Sequence, residues 1–261
     1  MNIDQASLTL VGSGIKAISH LTEEAKAYIQ HADQVCYLLN EPVAQKWIEK
    51  NNKNAFSLEK LYTKYPKRVD NYRAITDVIV EAVIKEQHVC VVLYGHPTVF
   101  AQPGLEAVRV LRSKGYTASI LPGISAEDCL FVDLLINPGE CGCQSFETTD
   151  FLIYQRNFDS RSHLVLWQVG IIGCLGHTAN YDNHHAATIL SGYLTKYYGE
   201  RHEVVLYEAA QYPTFKPRID KLPLNQLSEA QFSAITTLYV PPNPSNQANK
   251  NMLKALNIEC S

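Results

Sequence analysis

No apolar run in this 261-residue chain is long enough to span a bilayer, and its opening residues, MNIDQASLTLVG, are too polar and too short for a signal peptide. The absence of both points to a cytoplasmic protein with no membrane partner. Positive charge is not in excess either: 23 Lys and Arg stand against 26 Asp and Glu, and the net charge of -3 offers no broad basic field to a nucleic acid. Cysteine is present in the wrong arrangement for a disulfide scaffold. Seven is an odd count, and Cys36, Cys90 and Cys129 lie inside apolar runs, as reduced buried thiols do. Neither Cys141 with Cys143 nor Cys174 with His177, His184 and His185 gains a second pair at zinc-finger spacing, so no metal is expected. Internal repeats are lacking too. What is there, 46% hydrophobic and 19% charged residues, is the composition of a globular enzyme with a substantial core, in one large domain or two small ones.

Strand-like runs alternate with helical patterns through the first half, which predicts a parallel sheet with helices packed on it. Residues 7–11, 34–38, 89–94 and 117–121 read as strands. Thr22 is placed to cap a helix whose first turn holds Glu23 and Glu24, where carboxylates meet the positive end of the helix dipole. Apolar residues at 75, 78, 79, 82 and 83 predict an amphipathic helix over 71–86, opened by Asn71. Residues 103–114 predict another, closed by Gly115. The stretch 125–136 is apolar on nearly every side, and a helix there is expected at the centre of the molecule. Residues 137–144, rich in Pro, Gly and Cys, mark a boundary. The expected organisation is an N-terminal α/β lobe over 1–136, a C-terminal α/β lobe over 137–242 and a short tail over 243–261. In the second lobe 151–154, 163–169, 203–209 and 235–240 are predicted strands, with a helix over 183–198 that stops at Gly199.

Three segments at strand ends carry chemistry. Gly12-Ser13-Gly14, followed by Ala17, nominally fits a dinucleotide loop, but the next helix starts near Thr22, too late for its amides to face a pyrophosphate. Those glycines suit close backbone packing, or a ligand that is not a dinucleotide, better. Tyr94-Gly95-His96-Pro97 and Pro122-Gly123-Ile124-Ser125-Ala126-Glu127-Asp128 each follow a strand, where parallel sheets bind ligands. Taken singly, one is a Gly-Pro turn and the other a capped helix.

Together these segments resemble the tetrapyrrole methylase superfamily over roughly residues 7–242. The resemblance implies a two-lobed α/β fold, with a mainly parallel N-terminal sheet, a mixed C-terminal sheet and an S-adenosylmethionine cleft between the lobes. The first loop departs from the superfamily's G-x-G-P-G-D, reading Gly12-Ser13-Gly14-Ile15-Lys16, which argues against a tetrapyrrole substrate. A narrower likeness accounts for the departure. The segments VGSGI, YGHPTVFAQP, LPGISAEDCLFVDLLINPG, SHLVLWQVG, HEVVLYEAA and TTLYVPP resemble the borosin peptide backbone α-N-methyltransferases. That family's Tyr-x5-Arg-x3-Tyr pattern is matched by Tyr62, Arg68 and Tyr72. The plain alternative is two packing tyrosines and a solvated charge beside Lys64 and Lys67.

By the same resemblance, Tyr94, His96, Val99, Ser125, Ala126, Gln168, Ala209, Thr236 and Thr237 are expected to contact the cofactor, which leaves as S-adenosylhomocysteine. His96 is expected to hydrogen-bond rather than act as a base, and Gln168, mid-strand, to be a buried amide in need of partners. Arg68 is the expected stabiliser of a peptide imidate, with Tyr62 or Tyr72 taking the amide proton. The chain stops at Ser261 without the fused core peptide of the fungal relatives. The expected substrate is therefore a separate precursor protein, with a homodimer carrying two precursors as the assembly. A small-molecule methyltransferase of the same fold, a cofactor-binding scaffold without catalysis and a nicotinamide dehydrogenase are the competing readings.

Overall fold

The computed structural model describes residues 6–39, 41–85, 87–174, 182–243 and 248–258. These fall into two compact units, one built mainly from the chain up to Ile136 together with Glu208–Arg218, the other from Asn137–Gly173, 182–207 and the chain from Ile219 onward.

The first unit alternates strand and helix: β1 (Ser7–Gly12), α1 (Glu23–His31), β2 (Gln34–Leu38), α2 (Pro42–Asn51), β3 (Ala55–Ser57), α3 (Glu59–Tyr62), α4 (Arg68–Ile84), β4 (His88–Leu93), α5 (Gln102–Ser113), β5 (Thr117–Ile120) and α6 (Ala126–Asp133). Its sheet has the order β3-β2-β4-β1-β5, with every strand parallel to its neighbours. The period-two geometry of β4 divides its side chains between two cores. Val89, Val91 and Leu93 pack with Ile75, Ile79 and Val83 of α4 and Leu111 of α5. Cys90 and Val92 pack with Ala25 and Ile29 of α1 and Ile48 of α2 on the other face. A strand covered on both faces needs an unbroken apolar run, which is what HVCVVL supplies.

The second unit contains α7 (Pro138–Cys141), β6 (Cys143–Glu147), α8 (Thr148–Ile153), β7 (His163–Trp167), α9 (His184–Tyr198), β8 (Glu203–Glu208), β9 (Arg218–Pro223), β10 (Thr237–Val240) and α10 (Lys250–Ala255). Its sheet, ordered β6-β7-β10-β8-β9, is mixed: β6 runs parallel to β7, while β10 is antiparallel to both β7 and β8. A parallel sheet followed by a mixed one is the pairing that the resemblance implies. No helix among the described residues is long and apolar enough to cross a membrane.

Several local expectations fail for physical reasons. Residues 151–154 are not a strand: Glu147 caps α8 by accepting the Asp150 N–H at 2.7 Å, and the fully buried Phe151 packs edge-on to Tyr193 at 5.5 Å. Their β-rich composition yields to the cap and the aromatic core. Within the segment 137–144, Cys141 ends α7 and Cys143 begins β6. Helix α6 is not central. It buries Cys129 and Leu130 but leaves Val132 72% and the following Leu135 92% exposed. Finally, α4 begins at Arg68 rather than Asn71.

Candidate active site

The loops that leave β1, β4 and β5 meet at the carboxyl end of the first sheet, and glycine lets them meet. A Cβ on Gly12 would lie 2.2 Å from the Gly95 carbonyl oxygen, and one on Gly123 would lie 3.3 Å from the Gly12 Cα. Gly14 and Gly95, both in the left-handed region at φ of +68° and +71°, exchange backbone hydrogen bonds of 3.2 and 3.1 Å. The first loop is then fixed by His20, whose Nδ1 accepts the N–H groups of Ile15 and Lys16, each at 3.2 Å. Those amides face an imidazole, which disposes of the pyrophosphate role a dinucleotide loop would require. Burial first, then Lys16, holds the His20 pKa below its ordinary value, while Asp128 opposes them. The ring thus stays neutral and able to accept.

Beyond β4, His96 is half-buried, and its Nδ1 accepts the Thr98 N–H at 3.2 Å, with the Thr98 hydroxyl 2.9 Å away. With Nδ1 accepting, the neutral ring carries its proton on Nε2 and presents a donor. Val99 and Phe100 are exposed, and Phe100 is held at φ of +53°. Tyr94 is half-buried just past the strand. Burial raises its pKa, whereas a hydrogen bond from Gln211 lowers it. Next to Gln211, the Tyr212 hydroxyl donates at 2.8 Å to Glu41, a buried carboxylate that also caps α2 through the N–H groups of Val43 and Ala44. Gln211 and Tyr212 therefore dock the segment that carries Ala209 onto the region of Tyr94. Ser125 caps α6 by accepting the Glu127 and Asp128 N–H groups at 3.1 and 3.2 Å, and Asp128 returns the bond from the Ser125 N–H at 2.7 Å. Ala126 is the first helical residue.

Tyr62 ends α3, Arg68 opens α4 and Tyr72 lies one turn further on. The two phenol rings are 5.9 Å apart between centroids, and the Arg68 Nε is shielded from solvent. Tyr72 is pushed well above the ordinary phenol range, by burial first and then by the hydrogen bond to Tyr62, and Arg68 pulls it down by less. A guanidinium alone was expected to favour a phenolate at either tyrosine. At Tyr72 desolvation outweighs it.

Two buried residues hold this group in place, Thr76 and Asn71, the latter expected only to open the helix. The fully buried Asn71 accepts the Tyr65 N–H at 2.6 Å and donates to the Tyr65 carbonyl at 2.9 Å. Thr76 places its hydroxyl 3.0 Å from the Tyr72 carbonyl and 3.1 Å from the Pro103 carbonyl. Through Thr76 the first turns of α4 are tied to the start of α5, just beyond the loop of His96, Val99 and Phe100.

Gln168, Thr236 and Thr237 form a separate group in the second unit. Gln168 is not a buried mid-strand amide: it follows β7, is partly exposed and adopts the left-handed region at φ of +60°. The next residue, Val169, donates to the Thr236 carbonyl at 3.2 Å and accepts from the buried Asn183 side chain. Thr236 and Thr237 are buried, and the Thr236 hydroxyl accepts the Ser233 N–H at 2.7 Å. Among the described residues no three His, Cys, Asp or Glu side chains come together as a metal site would require. His177 lies outside the described residues, while His184 and His185 are exposed at the start of α9.

A doubly wound parallel sheet whose loops meet at its carboxyl end, followed by a mixed sheet, defines a class, and the sequence places the chain within it. The chain belongs to the family of tetrapyrrole (corrin/porphyrin) methylases, which it matches over residues 7–223. It is 40% identical to the "methyltransferase/ribosomally synthesized type I borosin cyclic peptide precursor" of Coprinopsis marcescibilis, over 98% of this chain and 68% of that protein. To the methyltransferase/gymnopeptides precursor of Gymnopus fusipes it is 39% identical, over 97% of this chain and 61% of the relative, so it spans less than two thirds of that protein. In structure it is similar to uroporphyrin-III-C-methyltransferase of Thermus thermophilus, with a TM-score of 0.64 at 18% identity over 90% of this chain and 92% of that one.

Proposed function

We propose that this protein is an S-adenosylmethionine-dependent methyltransferase that methylates backbone amides of a borosin-type precursor peptide. The observation that carries this reading is the meeting of the half-buried Tyr62, Arg68 and Tyr72, in a chain 40% identical to a methyltransferase/borosin precursor. The glycine-joined strand ends and the remaining ring donor of His96 fit a nucleoside held largely by backbone groups. Tyr94, His96, Val99, Ser125, Ala126 and Ala209 are the proposed donor contacts in the first unit, and Gln168, Thr236 and Thr237 those in the second. When bound, the cofactor supplies an electrophilic methyl group.

The peptide supplies the difficulty, because an amide nitrogen shares its lone pair with the carbonyl and gives up its proton reluctantly. Arg68, permanently charged and shielded, favours the imidate in which negative charge sits on the peptide oxygen. Tyr72, held protonated, donates rather than accepts. It gives its O–H to Tyr62, which leaves Tyr62 as the proposed acceptor of the amide proton. The precursor is proposed to arrive on a separate chain, with two precursors on a homodimer. In the relatives, precursor and methyltransferase share one chain.

The test incubates the enzyme with a purified candidate precursor and S-adenosylmethionine and maps added methyl groups by tandem mass spectrometry. Methylation on backbone nitrogens is expected, and Arg68→Ala should lower kcat by about 100- to 1,000-fold, the usual cost of losing an oxyanion donor. Methyl groups on side chains or on a porphyrinoid would favour a small-molecule enzyme of this fold instead.

A further inference from the structure

Between Tyr62 and Arg68 the chain runs through Thr63, Lys64, Tyr65, Pro66 and Lys67, all of them exposed. A five-residue loop with no buried side chain has no core contact to fix its path. The spacing of Tyr62 and Arg68 in space is nevertheless defined, since both reach Tyr72. The fixed point within the loop is Tyr65, whose N–H and C=O are both bonded to the Asn71 side chain at 2.6 and 2.9 Å. Asn71 has no exposed surface and lies on the first turn of α4, three residues after Arg68 and one before Tyr72. Its amide therefore treats Tyr65 as a neighbouring strand would, accepting and donating at one residue, from the same turn that carries two members of the site.

We propose that Asn71 is a positioning residue for methyl transfer, pinning the loop of residues 63–67 so that the Tyr62 hydroxyl is presented to Arg68 and Tyr72. The inference rests on the proposed function. It goes beyond it in assigning the geometry of the site to a side chain that touches neither substrate nor donor. An amide meets both needs of Tyr65 at any pH: an ionised carboxylate accepts the N–H but opposes the carbonyl, and an apolar side chain meets neither.

The experiment compares Asn71→Asp, nearly isosteric, with Asn71→Ala and with Tyr65→Phe, which leaves the bonded backbone intact. Hydrogen exchange of the Tyr65 amide, calorimetric affinity for S-adenosylmethionine, and kcat and KM toward the precursor are measured for each. Faster Tyr65 exchange in both Asn71 variants is expected, with kcat down about 10- to 100-fold, as a misplacement near 1 Å produces. Donor affinity should stay within about twofold, because the cofactor contacts are untouched. Tyr65→Phe should match the unaltered enzyme. Lowering the pH should restore Asn71→Asp relative to the unaltered enzyme, since a protonated carboxyl again both accepts and donates, while Asn71→Ala gains nothing. If both Asn71 variants keep the unaltered kcat, or lose donor affinity in step with kcat, the positioning role is wrong. An unaltered enzyme that methylates no backbone nitrogen would overturn the functional reading and this inference with it.

Discussion

The two sheets end in polar turns that are held by different means. In the first, the turns after β1 and β4 are joined backbone to backbone, Gly12, Gly14 and Gly95 themselves bringing no side chain to the contact. In the second, the turn after β7 keeps its side chains, and Gln168 is forced into a left-handed backbone while Asn183 and the Thr236 carbonyl hold Val169. Glycine contact is rigid and intolerant of any added atom. A side-chain clamp is replaceable at the cost of a hydrogen bond. The comparison teaches that one fold organises its strand ends by what is left out and by what is added.

Substitution at Gly12 tests that difference with the largest expected effect. Gly12→Ala sets a methyl group 2.2 Å from the Gly95 carbonyl oxygen, a backbone atom that cannot swing aside. The expected loss is about 3 kcal/mol or more in chemical denaturation, toward the upper end for overpacking. A loss below about 1 kcal/mol would mean that the loops slide apart freely and that the contact is not rigid.

Asn183→Ala should cost less. It removes the donor to the Val169 carbonyl, yet it also removes the Asn183 Oδ1, a buried atom with no hydrogen-bond partner among the described residues. The two effects oppose each other, and about 1 kcal/mol of destabilisation is expected rather than the 3 kcal/mol that a fully satisfied buried amide could cost. Equal losses at Gly12 and Asn183 would erase the contrast between the two units.

The smallest effect is a slope. His20 accepts two loop amides only while neutral, and its folded pKa lies below the unfolded value of about 6.5. Between those two values the unfolded chain binds more protons, so stability should fall as the pH is lowered through that window. His20→Asn keeps an acceptor without titrating and should flatten that part of the pH–stability curve. An unchanged slope would place the acid sensitivity elsewhere.

The fold was largely legible because its central strands are continuous apolar runs and its strand-end glycines announce turns. Tyr62, Arg68 and Tyr72 were legible as a spacing. What holds them was not. Asn71 reads as a helix-opening residue because Asn commonly caps, but Lys67 opens the helix with no side-chain cap and the Asn71 amide turns back to Tyr65. The segment 125–136 looks buried because it is apolar all round, yet burial is decided by neighbours, and only one side of α6 has them. The segment 151–154 has strand composition and a helical cap one turn upstream. Gln211 and Tyr212 are far in the chain from their partners Tyr94 and Glu41 and meet them only in three dimensions, which no local pattern records.

The Thr76 hydroxyl has one hydrogen and two carbonyls within reach, those of Tyr72 and Pro103. For anyone redesigning the 96–101 loop, this sets a practical boundary. Residues can be exchanged or inserted upstream of Pro103, but a graft that drags its carbonyl away would release the turn of Arg68 and Tyr72 from its anchor. Variants should be screened first for retention of that bond and only then for new substrates.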